Sequence, residues 1–411
     1  MGRKEVAPKG QASEPNSAET FAGAFSFREN SITRRLSSVN RQNVNTVNTL
    51  EGGGALGIYT KLQSGVSLPV SPLEKRVERY ALQSVARALL PSERVAICHR
   101  MLVVGRSTVD VMQAVQSSRV YFANLVSCGS AWVCPVCSAK IGEQRRMELR
   151  EALGVAGVAV TMLTVTLQHH RGERLADVLQ VLREGWKRTK AGRGWQVIKS
   201  RFGLFGYVTA LEVTHGGGNG WHPHLHVLLW GERELSEAER AELQAAVAER
   251  FGGYVARLGG YVSRFHGVEV SNPEAARDYA VKWGLAEEVS KTASKAGGGR
   301  NPWQLLRGVL EGDAAAGPLF LEYAAAMRGR HQLQWSRGLR ERLGLGAVLA
   351  DCDAAAELGG EADTLLAAIP LAGWKVILAN GERGELLRVA TAGAEPLRLW
   401  LAERDIVPAV L

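Results

Sequence analysis

Residues 221–230 of the chain read WHPHLHVLLW, with imidazoles at His222, His224 and His226. Histidines spaced two apart and followed by aliphatic residues are typical of a buried β-strand, and this period places all three on one face. Neutral imidazole is the commonest side-chain ligand for divalent ions. Because residues 222–226 hold three of the nine histidines of the chain, we interpret these three histidines as metal ligands. The alternatives are surface histidines, hydrogen-bonded histidines or a cupin-like HxH iron site.

A second strand precedes the histidines and supplies a carboxylate. Residues 206–215 read GYVTALEVTH, a β-strand pattern, and GGGNG at 216–220 offers the permissive backbone of a hairpin turn. A turn centred on Gly218 places Glu212 opposite His224 and on the same face. A carboxylate with two imidazoles suits Mg²⁺ or Mn²⁺, which favour oxygen and keep open positions for substrate. An ordinary carboxylate on a solvated face is the alternative.

Four cysteines upstream form a second candidate metal site. Cys134 and Cys137 form a CxxC pair, preceded by Cys128 and Cys98. This set has the shape of a four-thiolate structural zinc site, with two ligands from a knuckle and two from elsewhere. His99, next to Cys98, is a substitute ligand. Buried free thiols or a redox pair are the alternatives.

Composition and charge narrow the class of protein. The 411 residues, 46% of them hydrophobic, are sufficient for two or three domains with ordinary cores. No uninterrupted apolar run reaches membrane-spanning length and nothing resembles a secretory signal, so we expect a soluble, cytoplasmic protein with reduced thiols. A net charge of +9 suits a polyanionic partner. Cys352, in an Ala-rich segment, is interpreted as a packing residue.

Patterning divides the chain into four parts. Residues 1–72 are rich in Ser, Asn, Thr and Gly and are predicted to be a disordered leader. Residues 73–153 form the zinc-binding and DNA-binding region. It ends in a basic helix whose Arg145 and Arg146 are predicted to contact phosphates, with a solvated helix face as the alternative. Residues 346–411 are predicted to form a small accessory module, with a strand at 374–378 and a helix at 396–403.

The remaining part, residues 154–345, alternates strand and helix signals. The predicted order is strand, helix, hairpin, helix, strand and helix, with these elements at 158–168, 175–190, 206–230, 236–251, 268–270 and from residue 273 onwards. This order indicates an α+β domain built on an antiparallel sheet.

The last helix of this part carries a third group of chemically active residues. Tyr279 and Lys282 belong to the sequence YAVK, in a segment that opens with the helix-start signal Ser271-Asn272-Pro273. Residues three apart share a helical face, so the ammonium lies beside the phenol or the phosphate that the phenol attacks. A tyrosine with a pKa of ~10 needs such a cation and a metal-polarised phosphate to react at neutral pH. A core Tyr with a surface-reaching Lys is the alternative.

The sequences MLTVTL at 162–167, HPHLHVLL and YAVK, behind the CPVC knuckle, together resemble the rolling-circle replication initiators of small bacterial plasmids. These are the single-tyrosine branch of the HUH endonuclease superfamily. The resemblance runs from about residue 94 to 343 and includes most of the stretch GRHQLQWSRGLRERLGL at 329–345. It implies a ferredoxin-like antiparallel sheet, with a first strand at 163–167 beside the histidine strand.

The resemblance also implies a ligand set for the catalytic ion, Mg²⁺ or Mn²⁺. His224 and His226 match the His-hydrophobic-His pair that holds the ion in this family. Glu212 falls where such proteins often place a third ligand. His222 is then either an alternative ligand or a residue of the surrounding shell.

In the implied reaction Tyr279 is the nucleophile and Lys282 its supporting cation. Attack on single-stranded plasmid origin DNA leaves a 5′-phosphotyrosine and a free 3′ hydroxyl, with host DNA polymerase and helicase as further partners. The covalent link allows rejoining at termination. Related initiators often carry a glutamate four residues before the tyrosine for the terminating cleavage. Here that position is Ala275. Glu274 and Asp278 are nearby substitutes, and we assign the role to Glu274.

Three other classes stay open at this stage. A transposase or a mobilisation relaxase of the same superfamily would use the same site. A non-catalytic zinc DNA-binding protein would keep the cysteines and the positive charge but would not need Tyr279 near the histidine strand. A metal-dependent small-molecule oxygenase would have a compact apolar pocket and no basic surface, and the charge of +9 counts against it.

Overall fold

The structure is a computed structural model that describes residues 71–264, 266–282, 299–356 and 363–409. These residues belong to one compact unit that spans Ser67–Leu411. The leader predicted at 1–72 lies outside the described residues except for its last two positions.

Eight strands build two antiparallel sheets within the described ranges. In chain order they are β1 (Thr108–Gln113), β2 (Val120–Ala123), β3 (Ala159–Thr166), β4 (Leu204–Gly216), β5 (Gly220–Gly231), β6 (Val268–Val270), β7 (Leu333–Trp335) and β8 (Thr364–Pro370). The first sheet has the order β2-β1-β8, and the second has the order β6-β3-β5-β4-β7. The predicted α+β architecture with an antiparallel sheet is therefore confirmed.

Thirteen α-helices accompany the sheets in the described part of the chain. They are α1 (Pro72–Leu89), α2 (Pro135–Leu153), α3 (Leu175–Thr189), α4 (Gly192–Arg201), α5 (Glu237–Arg257), α6 (Pro273–Lys282), α7 (Pro302–Glu311), α8 (Ala316–Met327), α9 (Leu339–Arg342), α10 (Asp351–Ala354), α11 (Leu371–Ala379), α12 (Arg383–Thr391) and α13 (Ala394–Ala402). Among these described helices, none is both long and apolar enough to cross a bilayer.

The hairpin of β4 and β5 sets the register of the central sheet. Glu212 on β4 pairs with His224 on β5, as the predicted turn requires. On the other side of β5, Thr164 of β3 lies opposite His226. Burial alternates along the histidine part of β5, so the residues between the imidazoles, such as Leu225, pack into the main core with α3 and α5. The imidazoles consequently share the opposite face.

Helices α2 and α6 cover part of this opposite face. Leu149 and Ala152 of α2, Ala276 of α6, and Met162 of β3 form one buried cluster, against which Tyr279 packs. The side chains of His224 and His226 keep 14% and 15% of their surface exposed. The sheet face therefore carries a packed core beside a histidine group that is still accessible.

The C-terminal segment completes the N-terminal sheet. Strand β8 pairs with β1 over Thr108–Gln113, and α12 packs against α1. The ring of Trp374 meets Phe122 edge-on at 5.5 Å between centroids. The segment predicted to form a small accessory module thus contributes a strand to the N-terminal sheet.

One predicted element of this segment is wrong and one is confirmed. Residues 374–378 were predicted to be a strand but belong to α11, where Trp374 and Ile377 are buried at helical spacing. The helix predicted at 396–403 is α13.

Candidate active site and metal centres

Glu212, His224 and His226 converge on the open face of the central sheet. Their ligand atoms all lie within 4.8 Å of one another. The Nε2 atoms of His224 and His226 are 3.2 Å and 3.5 Å from Glu212 Oε2. Two imidazole nitrogens and a carboxylate oxygen in this proximity form a donor set that fits a divalent cation.

Electrostatics keeps this carboxylate charged. Burial raises the pKa of Glu212, but hydrogen bonds from His224 and His226 lower it by more, and the net result is a pKa well below the usual range. Glu212 is therefore ionised at neutral pH, which is the form that binds a metal.

Thr164 orients one of the two imidazoles. Its hydroxyl Oγ1 lies 3.1 Å from His226 Nδ1, on the adjacent strand β3. A hydrogen bond at Nδ1 fixes the tautomer and the ring orientation that leave Nε2 free to coordinate an ion. Thr164 was not predicted as a site residue, although the alternation of side chains along MLTVTL could have placed it on the histidine face.

Tyr279 reaches the same carboxylate from helix α6. Its hydroxyl donates a hydrogen bond of 2.9 Å to Glu212 Oε1. Its ring centroid is 4.6 Å from that of His226. Ala276, one turn earlier, is buried against the sheet and holds the helix in place. Two strands and one helix thus bring the predicted nucleophile to the three predicted ligands.

His222 shares the face but has a different partner. Its Nδ1 lies 2.7 Å from Nε2 of His169, and His169 Nδ1 lies 2.9 Å from the backbone oxygen of Asn219. Burial, together with the neighbouring charges of His224 and His169, lowers the pKa of His222 to about 4. The ring is therefore neutral at pH 7. His169 was not predicted as a site residue, although it lies only three residues after the end of β3.

Two other predicted residues lie on α6. Glu274 is exposed in the first turn of the helix. Lys282 is its last residue, and the side chain of Lys282 lies outside the described residues.

The four predicted cysteines form a compact buried cluster. The sulfur atoms of Cys98, Cys128, Cys134 and Cys137 all lie within 4.8 Å of one another. Cys98 Sγ is 3.4 Å from Cys137 Sγ and 3.7 Å from Cys134 Sγ. Cys134 is also the N-cap of α2, since its sulfur accepts a hydrogen bond from the backbone N–H of Cys137. Four converging sulfurs suit a tetrahedral zinc ion.

The pKa of each thiol in the cluster depends on its burial and on the neighbouring thiols. Burial raises the pKa of the Cys134 thiol. Hydrogen bonds from the neighbouring thiols lower the pKa of Cys137, because they stabilise its thiolate. All four cysteines are free rather than disulfide-bonded. The cluster therefore has the buried, mutually dependent sulfurs that a bound cation would convert to thiolates.

The sequence also predicted roles for His99, as a substitute ligand, and for Cys352, as a packing residue. His99 is buried beside the cluster but does not join its ligand group, and its Nε2 lies 3.5 Å from Ser127 Oγ. Cys352 was interpreted as a packing residue, but it is exposed on α10. That interpretation is wrong, because the short helix leaves the side chain at the surface.

The two arginines expected to contact DNA have different environments. Arg145 is buried, with its guanidinium 2.9 Å from both Glu148 Oε1 and Asp351 Oδ1. Its expected phosphate contact is therefore corrected: the charge is used inside the protein. A basic helix in sequence does not reveal which of its faces is buried. Arg146 lies nearer the surface and pairs with Glu143.

Comparison with known proteins identifies the family. The chain is 30% identical over 339 residues to the Protein rep of Streptomyces lividans, covering 64% of this chain and 72% of that protein. The chain belongs to the Rep family of plasmid replication initiators. Shorter matches link this Rep protein to two other proteins. One is the neomycin resistance protein of Streptomyces cyanogenus, with 34% identity over 146 residues (28% of this chain, 33% of that protein). The other is the Protein rep of Bacillus amyloliquefaciens, with 30% identity over 122 residues (27% and 34%).

No protein-family profile and no solved structure matches this Rep protein.

Proposed function

We propose that this Rep protein starts plasmid replication by nicking one strand of the origin with Tyr279 as the nucleophile. The observation that carries the proposal is the hydrogen bond from the Tyr279 hydroxyl to Glu212 Oε1. The other oxygen of this carboxylate faces His224 and His226. The nucleophile and the metal-ligand group are therefore parts of one site.

The topology of the sheet supports the HUH endonuclease assignment. From β3 to β6 the chain runs strand, two helices (α3 and α4), two strands, helix and strand, and these strands are ordered β6-β3-β5-β4. Apart from the additional short helix α4, this is the arrangement of a ferredoxin-like β-α-β-β-α-β unit. Strand β7 extends it at the β4 edge.

Glu212 is positioned to take the phenol proton. A phenol with a pKa of ~10 is protonated at neutral pH, and a base within hydrogen-bond distance can remove its proton during attack. The phenolic oxygen forms a bond to the scissile phosphorus, and the bond from phosphorus to the 3′ oxygen breaks. The leaving 3′ oxygen takes up a proton, so the products are a 5′-phosphotyrosine and a 3′ hydroxyl for host polymerase.

A divalent ion, Mg²⁺ or Mn²⁺, held by Glu212, His224 and His226 would supply Lewis-acid stabilisation of the charge that develops on the phosphate oxygens. The convergence of the three ligand atoms within 4.8 Å fits this assignment. Lys282 adds a second cation, and Glu274, exposed at the start of α6, assists the terminating cleavage.

The zinc region is assigned to recognition of the origin duplex. The four cysteines would hold a structural Zn²⁺ at the start of α2, and Arg146 on that helix contributes to phosphate binding. The charge of +9 supports a polyanionic partner. Host helicase and DNA polymerase are the partners that strand separation and extension of the 3′ hydroxyl require.

Formation of a covalent adduct tests the proposal. Purified protein is incubated with Mn²⁺ and a labelled single-stranded oligonucleotide from the plasmid origin, and denaturant-resistant adduct is measured. We expect adduct with the wild type and none with Tyr279→Phe, with duplex origin binding unchanged. The matched control is Tyr261→Phe, which alters a phenol that is 74% exposed and should leave the adduct intact. Adduct formation by Tyr279→Phe would overturn the proposal.

A further inference from the structure

A buried arginine lies behind the cysteine cluster. Arg383, the first residue of α12, is 4% exposed. Its guanidinium donates hydrogen bonds to Gln83 Oε1 at 2.7 Å, Ser84 Oγ at 3.2 Å and the Tyr80 carbonyl at 3.3 Å. It also lies 4.8 Å from the centroid of the Tyr80 ring. No carboxylate among the described residues pairs with it, although a buried charge is normally compensated by an opposite one.

Gln83 connects this arginine to the cysteines. It is 1% exposed, and its Nε2 donates a hydrogen bond of 3.2 Å to Cys134 Sγ. Because Arg383 can only donate, the amide oxygen must face the guanidinium and the amide nitrogen must face the sulfur. An N–H donor directed at sulfur stabilises a thiolate and orients it as a ligand.

Two further arginines increase the positive charge at this position. Burial, together with the charges of Arg100 and Arg87, lowers the pKa of Arg383 to about 10, although Tyr80 and Cys98 oppose this shift. The Nε atom of Arg87 is buried without a hydrogen-bond partner in the described structure. The positive charges of Arg100 and Arg87 therefore act against that of Arg383, and an anionic group beside Arg383 would offset this repulsion. A zinc ion with four thiolates is such a group, because its four negative charges outnumber the two positive ones.

We infer that Arg383, acting through Gln83, is a positioning residue for a metal tetrathiolate. The excess negative charge of that centre in turn holds the C-terminal segment, residues 363–409, on the zinc region. This inference rests on the proposed zinc assignment. At its other end α12 is fixed by a bidentate ion pair from Arg388 to Glu74, with both distances 2.8 Å. Loss of the metal removes the anionic counterpart of Arg383 and releases the first turn of α12.

Zinc affinity of the full-length protein tests the inference without reference to nicking. Zinc is titrated against a chromogenic chelator for the wild type, Arg383→Met and Gln83→Glu. Loss of an outer-shell partner weakens metal binding by about 10–100-fold, and we expect both variants to fall in this range. Gln83→Glu decides between a positioning role and a packing role. It gives Arg383 a carboxylate, which would preserve or strengthen the fold, yet it removes the donor to Cys134.

The control is Arg398→Met, which removes a surface arginine of the same segment that pairs with Glu395 and should leave zinc affinity unchanged. Limited proteolysis gives a second readout: chelation of the wild type should accelerate cleavage within residues 363–409.

The outcomes separate the two claims. A wild type that binds no zinc would overturn the zinc assignment and this inference with it. Zinc binding by the wild type with equal affinity in Gln83→Glu and Arg383→Met would overturn the inference alone. Protease resistance that chelation leaves unchanged would contradict the docking of the C-terminal segment.

Discussion

The hydroxyl of Tyr279 lies 2.9 Å from Oε1 of Glu212. The carboxylate of Glu212 therefore contacts both the proposed nucleophile and the two histidines of the proposed metal site. Its Oε1 is directed at the phenol and its Oε2 at His224 and His226. This double use makes Glu212 the residue on which both proton transfer and ion binding depend.

Glu212→Gln should show whether the site needs the negative charge of Glu212 or only the shape of its side chain. Glutamine has nearly the same size and can still accept the hydrogen bond of Tyr279, but it is a poor base and a weaker ligand. We expect the rate of adduct formation to fall by about 10²–10⁴-fold, the usual contribution of a general base, even in a Mn²⁺ titration carried to saturation. Glu269→Gln, an exposed carboxylate on β6 of the same sheet, is the control. A similar loss in both variants would contradict the assignment.

Thr164→Val should weaken the metal dependence of nicking. The substitution keeps the shape of the side chain but removes the hydroxyl that lies 3.1 Å from His226 Nδ1. We expect the Mn²⁺ concentration for half-maximal nicking to rise by about 10–100-fold. Thr166→Val is the matched control. Thr166 lies on the same strand as Thr164 and pairs with His224 of β5, but its hydroxyl makes only a long contact to a backbone oxygen. Identical titrations for the two variants would remove Thr164 from the site.

Cys134→Ser should impair both duplex origin binding and nicking of a short single-stranded oligonucleotide. Cys134 caps the start of α2, and the far end of this helix packs through Leu149 and Ala152 into the cluster that contains Ala276 of α6. Disturbing the start of α2 should therefore displace the helix that carries Tyr279. Cys352→Ser, at an exposed cysteine, should behave like the wild type in both assays. Wild-type nicking of the short oligonucleotide by Cys134→Ser would show that the two sites are independent.

Arg145→Met should lower the free energy of unfolding of the protein, so its effect should not be limited to DNA binding. Breaking a buried ion pair costs about 3–5 kcal/mol, and we expect the lower end of this range because Arg340 still holds Glu148. Arg146→Met, which removes a more exposed helical pair with Glu143, should cost about 0.2–1 kcal/mol and should reduce the salt dependence of duplex binding. Denaturant unfolding measures the first effect and fluorescence anisotropy the second. Unchanged unfolding of Arg145→Met would contradict the buried network.

The central hairpin could be predicted because its signals are local. Alternation in HPHLH fixes one face, GGGNG allows the turn, and a one-residue slip would bury the imidazoles. The register of Glu212 with His224 follows directly. The contact between Tyr279 and Glu212 could not be derived in this way. These residues are 67 positions apart, and the packing of α2 and α6 on the sheet decides where the phenol lies.

The C-terminal segment shows where local patterns fail. WKVIL at 374–378 has the aromatic and β-branched residues of a strand, yet it lies in a helix. TLLAAIP at 364–370 has few β-formers, yet it forms β8 because β1 offers it a pairing edge. Short apolar runs fit either structure by periodicity, and a partner distant in sequence decides between them. The ion pair of Arg145 with Asp351 depends on a distant residue in the same way.

Identification of the residue that is bonded to DNA tests the role of Tyr279 without any variant. The adduct formed by the wild type with origin oligonucleotide is digested with protease and nuclease, and the nucleotide-bearing peptide is sequenced by mass spectrometry. We expect the added mass on Tyr279. Attachment to another residue, such as Tyr323, which is only 2% exposed and stacks on Trp221, would contradict the proposed active site.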